Sequence, residues 1–223
     1  MARTELVKHY ALTLLLPLLL LAGMTYGAGR LILALPIGEA AVNRALAAGR
    51  TSSWNVLTDF GSSLSDTPYI AVLTAAAAIG FRLVYKRWLE SIFLVAAVWS
   101  QSLIFLTVTE AVGRHRPPVR HLDPAPPTSS FPSGHVSAAV AFYCGVALVL
   151  TTHVRSRALQ VVIWALGIAA PLAVAFSRLY RGMHFLTDVA WGLLLGAACV
   201  VTVARAIARQ PIRTSASELV RSV

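Results

Sequence analysis

The sequence is poor in charged residues and in cysteine. Charged side chains make up 13% of the 223 residues, against roughly a quarter in an ordinary soluble domain. The two cysteines, Cys144 and Cys199, both lie within apolar runs, which argues against a disulfide framework and favours a packing role. Because so few charges cannot cover a soluble surface, we expect an integral membrane protein.

Apolar segments long enough to cross a bilayer account for most of the chain. Hydrophobic residues make up 57% of it, and the mean hydropathy is +0.70. A helix of about 20 apolar residues spans the hydrocarbon core. We therefore predict an all-α, polytopic membrane protein whose residues 1–223 form one domain, a single bundle of about six transmembrane helices. The predicted spans are residues 10–33, 69–84, 88–112, 135–152, 158–176 and 184–204.

The N-terminal segment and the connector that follows it each allow two interpretations. Arg3 and Lys8 before an apolar stretch are typical of a secretory signal peptide. The largely apolar stretch continues to about Leu35, however, which favours an uncleaved first span. The weak amphipathic pattern of residues 37–48 predicts a helix in the membrane interface. An ordinary packed connector fits that pattern equally well.

The basic residues indicate a membrane orientation rather than a nucleic-acid partner. The net charge is +10, but the positive residues form no single stripe with interleaved aromatics, as a nucleic-acid surface would need. Six spans place eleven of them on one side, including the tail at residues 205–223. That side is predicted to be cytoplasmic and to face anionic lipid. The eleven are Arg3, Lys8, Arg82, Lys86, Arg87, Arg155, Arg157, Arg205, Arg209, Arg213 and Arg221.

Polar residues suited to phosphoryl chemistry flank the spans on the other side. His184 and Asp188 are four residues apart at the start of the sixth span, so a carboxylate there can orient a nucleophilic imidazole. Ser133, Gly134 and His135 open the fourth span. They are typical of a capped helix N-terminus, where Ser133 is the cap, N–H groups are free to bind phosphate, and Gly134 lets an anion approach the backbone. A structural His–Asp pair and a simple helix cap are the alternatives.

Two arginines complete this set of residues. Arg116 follows the third span and Arg178 the fifth. The guanidinium group is a permanent cation whose planar fork of donors fits phosphate oxygens. Arginines that only snorkel to the interface are common, but the six-span layout brings all these polar residues to one membrane face. Anion binding would account for the positive charge on that face, which is then predicted to be extracytoplasmic.

The motifs themselves resemble a known signature. Residues 116–117 (Arg-Pro), 132–135 (Pro-Ser-Gly-His) and 177–188 (Ser-Arg, five residues, His, three residues, Asp) resemble the three-part motif of the type 2 phosphatidic acid phosphatase superfamily. That superfamily also includes soluble vanadium haloperoxidases, a class that the apolar composition excludes here. The second and third parts match completely. The resemblance implies a membrane lipid phosphate phosphatase that uses neither a metal nor a cofactor.

The resemblance also implies a role for each matched residue. His184 would attack phosphorus and form a phosphohistidine, oriented by Asp188. His135 would protonate the leaving group and then activate water. The phosphoryl oxygens would be held by Arg116, Arg178, Ser133 and the Gly134 N–H.

One position departs from the family pattern. The signature places a lysine seven residues before Arg116, where this chain has Thr109. Either the neighbouring cations Arg114, Arg120 or Arg181 compensate, or the site is tuned to a different or poorer phosphoryl substrate.

The expected substrate is a phosphorylated lipid at the outer leaflet of the cell membrane. The candidates implied by the resemblance are phosphatidylglycerophosphate, undecaprenyl pyrophosphate, phosphatidic acid and diacylglycerol pyrophosphate. Three alternatives use the same residues. They are a lipid phosphotransferase, a weakly active or non-catalytic binder or transporter of phosphorylated lipid, and a metal-dependent hydrolase with His135, His184 and Asp188 as ligands.

Overall fold

The computed structural model describes residues 8–125 and 127–208. Arg3 and the part of the predicted basic tail after residue 208 lie outside these residues. Eight helices run through the described chain: α1 Lys8–Ala34, α2 Ala40–Ala48, α3 Ser52–Ser63, α4 Thr67–Tyr85, α5 Leu89–Val112, α6 Gly134–His153, α7 Arg157–Tyr180 and α8 Leu186–Ala208.

Six of the eight helices can cross a membrane. These are α1 and α4 to α8, each at least 19 residues long and strongly apolar. Their outward faces expose large aliphatic side chains such as Leu19, Ile79 and Val161, which water would not tolerate in such number but lipid would. The prediction of an all-α membrane protein with six spans is confirmed.

The connector between the first two spans contains two helices rather than one. The helix predicted at residues 37–48 is observed as α2, and its position in the membrane interface stays a prediction, whereas α3 was not predicted. Thr51 begins α3 by accepting a hydrogen bond from the Trp54 N–H at 3.3 Å. A Cβ added to Gly61 would lie 2.3 Å from Ser177 Oγ, so this glycine lets α3 pack closely on α7. With 12 residues, α3 is too short to be detected as a span from hydropathy.

The ends of two spans differ from the prediction in a way that matters for the site. Helix α7 continues four residues past the predicted end at residue 176 and includes Ser177 and Arg178 in its last turn. Helix α8 begins at Leu186, so His184 lies in the turn before it and not within the span. The polar character of these residues suggested helix ends, but their backbone hydrogen bonds determine where the helices stop.

Small residues bring α6 and α8 close together. A Cβ added to Gly192 would lie 2.8 Å from the carbonyl oxygen of Ser133, and one added to Gly196 would lie 2.6 Å from that of Ser137. The Ser133 N–H also donates to the carbonyl oxygen of Asp188 at 3.0 Å. The start of α6 is therefore held against the start of α8.

Candidate active site

A polar cavity of about 520 Å³ lies at the end of the bundle where α6 begins and α7 ends. Five residues predicted from the motifs line it: Arg116, Gly134, His135, Arg178 and His184. Helix α3, the residue before α4, Tyr69 of α4, Phe105 of α5 and the loop after α5 complete the wall. The three separate motifs of the sequence thus meet in one cavity.

His184 is held by a backbone carbonyl. Its side chain is buried, and Nδ1 lies 2.7 Å from the Ser130 oxygen. Because a carbonyl can only accept, Nδ1 carries the hydrogen and Nε2 keeps its lone pair. Burial lowers the pKa of His184 to about 4, so the ring is neutral at pH 7. A neutral imidazole with a free Nε2 is the form that a nucleophile requires.

Asp188 lies behind this imidazole. Its Oδ2 is 3.7 Å from His184 Nδ1, too far for a hydrogen bond. The same oxygen accepts the Phe185 N–H at 2.8 Å, and Oδ1 is paired with Arg114. In this structure Asp188 therefore acts on His184 through its charge, while Ser130 orients the ring.

His135 is paired with a carboxylate that the sequence analysis missed. Its Nε2 lies 3.0 Å from Oδ1 of Asp66, the residue before α4. This hydrogen bond lowers the pKa of Asp66, so the carboxylate is charged at neutral pH and holds one edge of the ring. Asp66 also lines the cavity. No motif includes it, because it lies 69 residues away in the sequence.

The two predicted arginines each keep an unused donor. Arg116 Nη1 donates to the Met183 carbonyl at 2.7 Å, and Arg178 Nη1 donates to Ser62 at 2.8 Å and to Asp123 at 2.9 Å. The Nε of each guanidinium is buried and has no hydrogen-bond partner within the described residues. Since buried donors are normally satisfied, these two favour an anionic ligand.

Ser133 and Gly134 stand at the start of α6, as predicted. Ser133 occupies the N-cap position of α6, but its side chain makes no capping hydrogen bond. Ser133 is therefore the cap residue by position, as predicted, but its side chain does not cap the helix, and its buried Oγ has no partner within the described chain. A Cβ added to Gly134 would lie 2.8 Å from the Phe105 ring. This glycine lets Phe105 pack against the start of α6.

The three cations proposed to compensate for Thr109 do not line the cavity. Arg114 is paired with Glu39 and Asp188. Arg181 is paired with Asp59 and Asp123, both of which do line it. The side chain of Arg120 is exposed.

Thr109 itself lies in the protein interior. It is 1% exposed, and its hydroxyl donates to the Ser129 carbonyl at 3.2 Å. Ser129 lines the cavity, so position 109 is one residue removed from it. Within the described residues, no three His, Cys, Asp or Glu side chains are placed to hold a metal ion together.

A bundle of six apolar helices with two histidines and two arginines in one terminal cavity defines a polytopic membrane protein with a polar site at one end of the bundle. The chain belongs to the PAP2 superfamily, whose model matches residues 90–211, more than half of the chain. The family inferred from the three motifs is therefore confirmed.

Two characterised proteins are similar in sequence. Phosphatidylglycerophosphatase B of Bacillus subtilis (strain 168) is 30% identical over 145 residues, which cover 63% of this chain and 66% of that protein. Undecaprenyl-diphosphatase of Sulfolobus acidocaldarius is 38% identical over 79 residues, 35% of this chain and 34% of that protein. Each match thus spans less than two thirds of the relative's length.

Two crystal structures share the fold. The PAP2-type phosphatidylglycerolphosphate phosphatase of Bacillus subtilis superposes with a TM-score of 0.75 at 22% identity, covering 88% of this chain and 97% of that one. LpxE of Aquifex aeolicus superposes with a TM-score of 0.58 at 20% identity, covering 74% of this chain and 93% of that one. At these identities the likeness establishes the architecture of the bundle.

Proposed function

We propose that this protein is a membrane phosphatase that hydrolyses a phosphomonoester or pyrophosphate of a lipid through a phosphohistidine on His184. The observation that carries the proposal is the neutral, buried imidazole of His184 in the same cavity as Arg116 and Arg178. Family membership and the names of the two relatives support phosphate removal from lipids.

The reaction proceeds in two displacements. His184 Nε2 attacks phosphorus while the bond to the leaving oxygen breaks, and His135 gives that oxygen a proton. His135 then takes a proton from water, whose oxygen attacks the phosphohistidine and breaks the P–N bond. Orthophosphate leaves, and both histidines return to their starting forms. Proton transfer by a positioned imidazole suits both steps near neutral pH.

The phosphoryl oxygens are held by the donors that the fold leaves unused. The Nε groups of Arg116 and Arg178 and the Ser133 hydroxyl are buried without partners in the described chain. Their charge and dipoles stabilise the negative charge that spreads over the equatorial oxygens in the transition state. These groups supply the charge stabilisation, so the proposed reaction needs no metal.

A lipid substrate fits the surroundings of the cavity. Tyr69 of α4 and Phe105 of α5 line it beside the polar groups, and both helices belong to the apolar bundle. The headgroup would reach the histidines while its tails remain in the bilayer. The candidates remain phosphatidylglycerophosphate, undecaprenyl pyrophosphate, phosphatidic acid and diacylglycerol pyrophosphate.

We place the cavity on the extracytoplasmic side. The opposite end of the bundle carries basic residues in short connections and at the end of α8, among them Lys86, Arg155 and Arg205. Positive residues near span ends favour the cytoplasm. The arginines around the cavity have another explanation, because they pair with carboxylates or line the anion site.

The test is phosphate release by the purified protein in detergent from a panel of the four lipid phosphates, with and without EDTA. His184→Ala is expected to abolish release, whereas His121→Ala is the matched control, because His121 does not line the cavity and its ring is bonded to the Pro117 carbonyl. EDTA is expected to have no effect. Full activity of His184→Ala would contradict the phosphohistidine, and loss with EDTA that added metal restores would favour a metal-dependent hydrolase.

The same assay separates the remaining alternatives. A binder or transporter would release no phosphate from any of the four lipids. A phosphotransferase would release little phosphate in water but would form a new phosphate ester when an alcohol acceptor is added. Trapping labelled phosphate on His184 would support both hydrolysis and transfer and would exclude the binder.

A further inference from the structure

Glu39 is a buried carboxylate next to the proposed nucleophile that no motif includes. It precedes α2 directly, and its side chain is 7% exposed. Its Oε1 accepts from Arg114 Nη2 at 2.7 Å. Arg114, in the loop after α5, is paired through Nη1 with Asp188 of α8. Glu39, Arg114 and Asp188 thus form one chain of buried ion pairs that ends behind His184.

Glu39 also completes the N-terminus of α8. Its Oε2 accepts the Thr187 N–H at 2.7 Å, and its Oε1 accepts the Thr187 hydroxyl at 2.8 Å. Asp188 accepts the Phe185 N–H from within the helix, which is one half of a capping box. Phe185 has no side-chain acceptor for the free N–H groups of this first turn, and Glu39, from outside α8, accepts the Thr187 N–H.

The start of the short helix α2 therefore lies against the turn that carries His184. Four residues after Glu39, Asn43 donates to the His184 carbonyl at 3.0 Å and is 1% exposed. Asn43 thus holds the backbone of this turn, and Glu39 contributes through the ion pairs behind it.

The charges of Glu39, Arg114 and Asp188 determine the electrostatic potential at His184. When Nε2 bonds to phosphorus, the imidazole becomes positive and needs a negative group near Nδ1. Asp188 carries one negative charge at 3.7 Å, but its pairing with Arg114 would cancel that charge. Glu39 adds a second negative charge, so the three groups together carry a net charge of about −1, and charges at such short range count strongly in a buried site.

We propose that Glu39 is a positioning residue for the proposed phosphatase reaction, which acts through Arg114 to keep Asp188 in place and the site behind His184 negatively charged. The inference rests on the proposed function, and the wild-type protein must first release phosphate. Glu39→Gln keeps the size and one acceptor oxygen but removes the charge. It is expected to lower kcat by about 10- to 100-fold, by analogy with the groups that orient metal ligands, with KM changed much less.

The matched control is Glu90→Gln. Glu90 is also a buried, ion-paired carboxylate, with Arg87 and His153 as partners, and is 5% exposed. It lies in the first turn of α5, at the far end of that helix from Arg114, and should leave kcat unchanged. Glu39→Asp keeps the charge and is expected to recover part of the lost activity.

A double substitution separates the charge role from simple helix capping. Arg114→Met combined with Glu39→Gln leaves Asp188 as the single charge, so the net charge is again about −1. The double variant is expected to have a higher kcat than Glu39→Gln alone, and its rate of phosphohistidine formation should rise in parallel. Melting temperature in detergent confirms that each variant is folded.

Two outcomes would overturn the inference without touching the proposed function. One is an active wild type in which Glu39→Gln and Glu90→Gln behave alike. The other is a double variant with a lower kcat than Glu39→Gln. If the second substitution only lowers kcat further, Glu39 acts as a structural helix cap and not through its charge. Absence of phosphate release from the wild type would instead refute the proposed function, and with it this role of Glu39.

Discussion

At the scale of single residues, the tautomer of His184 follows from one carbonyl group. The Ser130 oxygen at 2.7 Å fixes the hydrogen on Nδ1, and burial keeps the ring neutral by lowering its pKa to about 4. The lone pair of Nε2 is then available at any pH near 7. The side chain of residue 130 is irrelevant to this effect, because the acceptor is a backbone group, and for that reason no sequence motif could have revealed it.

The site residues that were not predicted from the sequence are mainly acidic. Asp66 and Asp123 line the cavity, and Glu39 lies behind it. Their rarity could have marked them as site residues, because the whole chain has only nine acidic residues. A carboxylate in so apolar a protein is costly in free energy unless it is paired. The partners could not be predicted, because Glu39 lies 75 residues from Arg114 and Asp66 lies 69 from His135.

The missing lysine gives a direct test of charge in the cavity. A lysine at position 109 would start one residue from the cavity wall and extend past Ser129. Thr109→Lys is expected to raise kcat/KM for the preferred lipid phosphate by about 10- to 150-fold, because one charge-assisted hydrogen bond contributes roughly 1.5–3 kcal/mol. Steady-state phosphate release measures the change.

The control for this substitution is Thr109→Met, which adds length without charge and should not raise kcat/KM. If Thr109→Lys is folded and as slow as the wild type, the cavity lacks no cation. The carboxylates Asp59, Asp66 and Asp123 in the cavity would then reflect a preference for a particular substrate and not a missing positive charge.

At the scale of helices, the contact between α6 and α8 positions the site. Helix α6 carries His135, and α8 carries Asp188 and follows the turn with His184. The two helices meet at Gly192 and Gly196, where no side chain separates the backbones. Close helix contact at small residues is typical of membrane bundles, but the sequence alone does not show which helix is the partner.

Gly192→Ala tests this contact. The added methyl group would lie 2.8 Å from the Ser133 carbonyl and 3.1 Å from Val136 Cβ, so α6 must move away from α8. Overpacking of this kind costs about 1–3 kcal/mol, and displacing the site residues by about 1 Å lowers the rate by up to about 100-fold. Phosphate release and melting temperature are measured together.

Gly80→Ala is the control for this helix contact. A Cβ at Gly80 meets no atom within 4 Å in the described structure, and alanine favours a helix more than glycine does. Equal activities of the two alanine variants would show that the spacing of α6 and α8 does not determine the rate.

At the scale of the whole molecule, the orientation in the membrane decides which lipids reach the cavity. Arg120 lies on the cavity side and Arg155 in the connection at the opposite end, and both side chains are exposed. In a variant with Cys144 and Cys199 replaced by alanine, Arg120→Cys is expected to react with a membrane-impermeant thiol reagent in intact cells. Arg155→Cys should react only after permeabilisation.

The reverse labelling pattern would show that the cavity faces the cytoplasm. The substrate would then be a lipid of the inner leaflet, although the chemistry proposed for His184 would be unchanged. Equal labelling of both positions in intact cells would show that the reagent crosses the membrane. A known cytoplasmic thiol therefore serves as a control and must stay unmodified.

The sequence by itself determined the spans, the family and the motif residues. Hydropathy adds up along the chain, so each span is visible locally, and the three motifs keep fixed spacings within short segments. Only the tertiary structure decided that Ser130 orients His184, that Asp66 holds His135, and that Glu39 reaches Asp188 through Arg114. These contacts join residues that are far apart in sequence, and the packing of helices against one another brings them together.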